Sequence, residues 1–315
     1  MSWSKNGVVS ELSAMDWHLS QPAEGALWQQ YCDYYSLGLE EEGAVGHYAG
    51  LMECSSYQVA VQVWKHADAK GTAVVVHGYY DHVGLYGSLI RFCLQQGWNV
   101  VAFDLPGHGL SSGEQAAIDS FQEYDEVFSQ VLQQAQAHLP GPLYAFGQST
   151  GGAILINYLL KRHFTAEQNP FAAVSLMAPL VRPKGWASGR IIHTFARFFV
   201  RRVKRKFKQN SGNPEFGEFL LRDPLQPHHL NVRWVSALKV WLPYVESLPP
   251  SSVMVNIIQG DADQTVDWQH NMKVLAEKFP NQRLKILPGG QHHLVNESPE
   301  QRQRIYQQLA EWLTD

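Results

Sequence analysis

The chain has 315 residues, 45% of them hydrophobic and 17% charged, with a net charge of −4. That size supports one large domain or a core domain carrying an insertion, and the composition excludes a disordered chain. The mild negative charge gives no overall attraction to nucleic acid, so none is expected as a partner and any electrostatic preference must come from a local patch.

The first 45 residues read as an N-terminal helical extension. They hold no basic segment followed by an unbroken apolar run, and no stretch of the chain is long enough to span a bilayer. A soluble, cytoplasmic protein is expected. The three cysteines, Cys32, Cys54 and Cys93, fit neither a disulfide framework nor a metal-ligand spacing and read as buried or free thiols, so no metal is expected; no cofactor is expected either, since a serine triad with an oxyanion hole needs none.

Around Gly46–Cys54 and Tyr57–Trp64 the pattern alternates, which predicts an antiparallel hairpin on a sheet edge. Short apolar runs follow at Ala73–His77, Asn99–Asp104, Leu143–Gly147, Ala172–Met177, Val253–Gln259 and Leu284–Leu287. Runs of this kind are strands buried on both faces. Helical patterns lie between them, as at Ile118–Leu139 and Gly152–Arg162. The alternation predicts an α/β fold with a mostly parallel, doubly wound sheet. Residues 182–248 break the pattern: they show no strand, are basic in their first half and are rich in Trp, Pro and Phe. A helical insertion between late strands emerges at the strand C-termini, over the ligand crevice. It reads as a lid, with the core at 46–181 and 249–315.

The chemistry concentrates at those strand ends. Gly147-Gln148-Ser149-Thr150-Gly151 is a G-x-S-x-G between a strand and a helix. A sharp strand-to-helix turn strains the Ser backbone, and Gly147 and Gly151 let the chains approach. The Ser149 oxygen is thereby lifted to the top of the sheet as a candidate nucleophile. A triad on this scaffold runs Ser, acid, His. The acid follows Gly260 as Asp261 or Asp263, and the base follows a glycine turn as His292 or His293. His292 would take the Ser149 proton and Asp263 would orient the imidazole. Backbone N–H groups of Thr150 and Tyr79 are the expected oxyanion donors, the latter just after the strand-ending pair His77-Gly78.

These residues, with His82 and above all the run Asp104–Gly113 (DLPGHGLSSG), resemble the monoacylglycerol lipase and lysophospholipase group of α/β-hydrolases, related to serine aminopeptidases of the S33 type. The resemblance runs from about residue 45 to the C-terminus and includes Asp223-Pro224-Leu225. It implies the α/β-hydrolase fold with a helical lid. It selects Asp263, three residues after the strand-ending glycine, and His292, in an H-x-x-x-N-E run. Two positions depart from the family: Gln148 stands where it usually has His, and Tyr79 is bulkier than its usual oxyanion-loop residue.

Inside the inserted segment, Ile191–Lys208 predicts one basic helix with Phe195, Phe199, Val203 and Phe207 as an apolar stripe. The favoured reading packs that stripe on the core beneath a solvated cationic face. The other lays the helix on an anionic membrane, which would make the protein peripheral to the inner face of a membrane. Trp186, Phe219 and Trp241, with Phe216 and Trp234 nearby, either line an acyl pocket or pack within the lid. The expected activity is hydrolysis of a carboxylic ester, of monoacylglycerol or lysophospholipid type, through an acyl-enzyme on Ser149. The alternatives are hydrolysis of other small esters or amides, aminopeptidase-like, or a non-catalytic binding role. Dehalogenase and epoxide-hydrolase chemistry would need an Asp at the elbow.

Overall fold

The computed structural model describes residues 3–314. Helices α1 (Lys5–Glu11) and α2 (Ala26–Tyr35) precede an antiparallel pair, β1 (Ala44–Cys54) and β2 (Tyr57–His66). Then come β3 (Thr72–Val76), α3 (Gly87–Gln95), β4 (Asn99–Phe103), α4 (Phe121–His138), β5 (Leu143–Gln148), α5 (Thr150–Lys161) and β6 (Ala173–Met177). The segment between β6 and the next sheet strand holds α6 (Trp186–Ala196), β7 (Arg202–Lys204), α7 (Pro214–Arg222), β8 (His229–Asn231) and α8 (Val232–Ser247). The chain closes with β9 (Asn256–Gly260), α9 (Trp268–Lys278), β10 (Arg283–Leu287) and α10 (Pro299–Thr314).

Eight strands form one sheet in the order β1-β2-β4-β3-β5-β6-β9-β10. The pairs β1–β2 and β2–β4 are antiparallel, and every pair from β4 to β10 is parallel. Each central strand contributes alternate residues to two cores. Val74, Val76, Val101 and Phe103 face one, packed with α4, α5, α8 and α9, while Ala73, Val75, Val100 and Ala102 face the other, packed with α2, α3 and α10. Burial on both faces is why these strands read as unbroken apolar runs. Val253 and Val255 are buried but precede β9, so that strand starts later than its apolar run.

The first helices cover the second core. Trp3, Trp28, Tyr31 and Tyr35 pack edge-on and stacked against one another at centroid distances of 5.0–5.9 Å. Tyr35 then reaches across the molecule, its hydroxyl donating to Asp223 Oδ1 at 2.5 Å, while Asp223 Oδ2 lies 2.8 Å from His82 Nε2. All three residues are buried. This network ties the N-terminal segment, the loop after β3 and the inserted segment together. It gives His82 and the Asp223-Pro224-Leu225 motif a structural role.

The inserted segment differs from the sequence reading in two respects. It contains strands, since β7 and β8 form a short antiparallel ladder. The single basic helix over 191–208 does not exist: α6 ends at Ala196 and the chain is extended by Arg202. The apolar spacing favoured a helix, but Arg201, Lys204, Arg205 and Lys208 would then lie three or four residues apart on a common side, where like charges repel. The strand instead lets Arg202 donate to Glu114 at 2.7 Å and Arg205 to Gln226 at 2.8 Å. The Phe stripe is not core either: Phe195 is 70% exposed and Phe199 89%.

Candidate active site

Ser149 sits between β5 and α5 with φ 52° and ψ −111°, a conformation that costs a non-glycine residue about 1–3 kcal/mol. Its own backbone hydrogen bonds over-determine it. Ser149 N–H donates to Met177 O at 2.9 Å, and Ser149 O accepts from Ala153 and Leu180 at 3.0 Å each. The flanking glycines are obligatory for packing. A Cβ on Gly151 would stand 2.0 Å from Val76 O, and one on Gly147 would stand 2.6 Å from the Gly151 carbonyl carbon.

The loops after β9 and β10 bring the acid and imidazole to this serine. His292 Nε2 is 2.9 Å from Ser149 Oγ, and His292 Nδ1 is 2.7 Å from Asp263 Oδ2. Asp263 is almost fully buried, yet satisfied: Oδ1 accepts from Thr265 and Val266 N–H at 2.7 and 3.1 Å, and Oδ2 accepts from Gln259 Nε2 at 3.1 Å. Burial would raise its pKa, but the His292 charge and these donors hold it below the usual carboxylate range. For His292, burial works to depress the pKa, and the adjoining Asp263 carboxylate and its hydrogen bond outweigh it, so the net shift is upward from 6.5. Asp261 and His293 serve elsewhere. Asp261 Oδ1 accepts from Gly289 N–H at 2.7 Å, and His293 Nε2 lies 3.1 Å from Asp81 Oδ1.

The loop after β3 is braced from beneath. Gly78 N–H donates to Tyr86 Oη at 2.9 Å, and Tyr86 in turn donates to Asp81 Oδ2 at 2.9 Å. Burial pushes the pKa of His77 down to about 3, so its ring is neutral. One nitrogen accepts from Leu105 N–H at 2.9 Å and the other donates to Gly78 O at 2.7 Å. Among the described residues, no backbone hydrogen bond outside the regular ladders starts from the N–H of Tyr79 or Thr150. Both groups are therefore unspent, and the Thr150 N–H belongs to a first helical turn, where no intrahelical acceptor exists.

Gln148, at the position where the family usually has His, donates through Nε2 to the His292 carbonyl at 2.8 Å and so fixes the loop that carries the imidazole. Sequence reasoning gave no role to Asp81, Tyr86, Gln259 or this contact. Asp81 and Tyr86 follow His77 within ten residues, but nothing in their spacing shows that their side chains turn back under Gly78.

Ser149 and His292 open into a cavity of about 420 Å³ whose apolar wall includes Tyr79, Leu180, Leu230, Trp234 and Val266. The Tyr79 ring stacks on Trp234 at 3.9 Å and its hydroxyl donates to Ala116 O at 2.8 Å, so its bulk forms part of the wall. The three aromatics singled out from sequence are not lining residues of this cavity. Trp241 is buried against Phe121 at 4.6 Å with its Nε1 on Asn157. Phe219 packs on Tyr34 and Tyr35 from α2, and Trp186 packs on the main core at the start of α6.

The pattern of the serine aminopeptidase S33 family matches residues 67–299. The chain belongs to that family. Human monoglyceride lipase is 27% identical over 281 residues, covering 84% of this chain and 89% of that protein. The structure of Paleococcus ferrophilus monoacylglycerol lipase superposes with a TM-score of 0.69 at 21% identity, over 83% of this chain and 98% of that one. A soluble variant of Saccharomyces cerevisiae monoglyceride lipase, in complex with a substrate analogue, gives 0.70 at 18% identity over 84% and 93%. The fold is that of the α/β-hydrolases, and the S33 chain is an ester hydrolase of that fold. No helix among the described residues is long and apolar enough to cross a membrane.

One electrostatic prediction follows from Asp263. The His292 imidazole, followed by NMR, should titrate with a midpoint above the ordinary 6.5. Asp263→Asn removes the charge that raises it most and leaves burial opposed only by the more distant Asp81 carboxylate, so the midpoint should fall. An unchanged midpoint in that variant would show that Asp263 does not control the ring.

Proposed function

We propose that the protein hydrolyses carboxylic esters of single-chain lipids, of the monoacylglycerol type, through an acyl-enzyme on Ser149. The observation that carries this reading is the unbroken chain of contacts from Asp263 through His292 to Ser149, beside a cavity with an apolar wall. In the first step His292 Nε2 accepts the Ser149 hydroxyl proton while Oγ bonds to the ester carbonyl carbon. The negative charge that forms on the carbonyl oxygen is met by the N–H groups of Tyr79 and Thr150, each such donor contributing about 3–4 kcal/mol to transition-state stabilisation. The imidazolium, stabilised by Asp263, returns the proton to the departing alkoxide, and the alcohol leaves. Water then attacks the acyl-enzyme, giving its proton to His292, and the fatty acid departs as Ser149 regains its proton. The amide alternative is not favoured, since the relatives that overlap 84% of this chain include the human and rat monoglyceride lipases.

In this reading residues 182–248 act as a lid, 46–181 and 249–315 form the catalytic core, and 1–45 extend it. We also propose a peripheral membrane contact, resting on the exposed end of α6 and the turn after it rather than on one helix over 191–208. Phe195, Phe198 and Phe199 are 70%, 70% and 89% exposed at the end of α6 and in the turn beyond it, with Arg197 and Arg201 beside them. Such aromatic and basic residues suit an anionic lipid surface.

The catalytic proposal is tested with p-nitrophenyl esters and monoacylglycerols of graded chain length, comparing wild type with Ser149→Ala. Turnover should be confined to wild type and should improve with acyl length until the cavity is filled. Equal turnover by the variant would remove Ser149 from the mechanism. The membrane contact is tested by flotation with vesicles containing phosphatidylserine, where a Phe195→Ser/Phe198→Ser/Phe199→Ser variant should float several-fold less than wild type. Equal flotation of the two proteins would refute it.

A further inference from the structure

We propose that a second cavity, between α7 and α10, binds a carboxylate carrying an apolar chain, and that its occupation slows turnover at Ser149. The fatty acid released by the proposed hydrolysis is such a ligand; that assignment as product rests on the ester-hydrolase reading above.

This cavity has a volume of about 300 Å³ and, among the described residues, shares no lining residue with the Ser149 cavity. Tyr34 from α2 and Phe216 and Phe219 from α7 give it an aromatic side, with Phe219 packed on Tyr34 at a centroid distance of 5.3 Å. Arg302, on α10, lines it as well. The Arg302 side chain is partly buried, and its Nε is enclosed without an acceptor. Among the described residues its guanidinium has no hydrogen bond and no carboxylate oxygen within 4.0 Å. The other basic lining residue, Arg91, is engaged by Glu42. Glu215, the one carboxylate among the described lining residues, is exposed and has no basic group within 4.0 Å, so it does not pair with Arg302.

Buried donors in folded proteins are as a rule paired, so an enclosed guanidinium edge with no acceptor in the chain marks a place for one from outside. The planar fork of Arg takes a carboxylate through two parallel hydrogen bonds. One unpaired cation balances one negative charge, which a carboxylate carries and a phosphate monoester exceeds at neutral pH. The aromatic side then holds the apolar chain.

The cavity also joins the inserted segment to the rest of the molecule, since α7 faces residues of α2 and α10 across it. A ligand placed there gains its contacts only while α7 lies where it does in this structure, and it shifts the population toward that closed arrangement. Two lining residues extend the connection to the catalytic loop. The Phe216 ring packs on His293 at 4.7 Å, and Asn296 Nδ2, which donates to Leu85 O at 2.8 Å, lies 3.4 Å from His293 Nδ1. His293 follows the base and lines the Ser149 cavity. Fatty acid bound here therefore holds the lid down without competing for Ser149.

Binding is tested by calorimetric titration of octanoate, below its micelle concentration, into Ser149→Ala. Octanoate should bind, and the affinity should fall by about tenfold or more when Arg302→Met is added, the size expected for charge-assisted hydrogen bonds. Phe219→Ser, which shortens the aromatic side, should weaken binding too and serves if Arg302→Met does not fold. Octanol, with the chain alone, and acetate, with the charge alone, should each bind far more weakly than octanoate. Octanoate binding that neither variant weakens would place the ligand elsewhere and overturn the site, and acetate binding as tight as octanoate would overturn the amphiphile assignment. The effect on turnover is read from p-nitrophenyl acetate hydrolysis by the protein with Ser149 intact. Octanoate should lower kcat there, and in Arg302→Met it should leave kcat where it stands without octanoate. A rise in KM alone, equal in both proteins, would overturn the coupling. No hydrolysis of any ester would overturn the ester reading and the product assignment with it, while the titration still decides whether the site exists.

Discussion

The backbone of Ser149 is the constraint around which the other parts are arranged. Its φ of 52° is tolerated because three backbone hydrogen bonds and two glycines leave the turn no alternative. Gly151 must pass within contact of Val76 O, which presses α5 against the end of β3. That same approach brings the loop after β3, with the Tyr79 N–H, close to the first turn of α5. The strain at one residue thus sets the spacing between nucleophile and both proposed oxyanion donors. Strain of this kind persists only where the surroundings enforce it.

Around that turn the protein keeps several buried titratable groups in defined states, and each state has a visible cause. His77 is neutral because it is buried and its two nitrogens have one acceptor and one donor. Asp81 and Asp263 stay ionised because each faces a histidine and collects further donors. His292 is shifted upward by Asp263, which favours the imidazolium that forms when Ser149 gives up its proton. Gln148 joins the elbow to the His292 carbonyl, so nucleophile and base are held by a side chain as well as by the sheet.

Most of this was legible because the signals were local. Strands buried on both faces must be apolar throughout, and β3, β4, β5, β6, β9 and β10 all lie within one to three residues of their runs. The elbow, the acid and the histidine each follow a strand end, so chain order placed Ser149, one of Asp261 and Asp263, and one of His292 and His293 on one edge, and the family resemblance selected Asp263 and His292. Helix starts were less well placed: α4 begins at Phe121 behind a capping box of Ser120 and Glu123, a signal its apolar run from Ile118 hides. The inserted segment was the least legible. Phenylalanines at i+4 spacing look like a helix face, yet charge density and the β8 partner, some 25 residues on, end α6 early. Likewise Trp234 and Trp241 lie seven residues apart on one face of α8, about 10 Å along its axis. Only the first reaches the cavity, and composition cannot distinguish them.

Intact-protein and peptide mass spectrometry after treatment with diethyl p-nitrophenyl phosphate tests the central claim most directly, because it reads the nucleophile without assuming a substrate. One diethylphosphoryl group should attach per chain, on the peptide containing Ser149, and labelling should slow by about a thousandfold or more in His292→Ala, in line with the role of a general base. Attachment at another residue, or labelling of His292→Ala at the wild-type rate, would contradict the account.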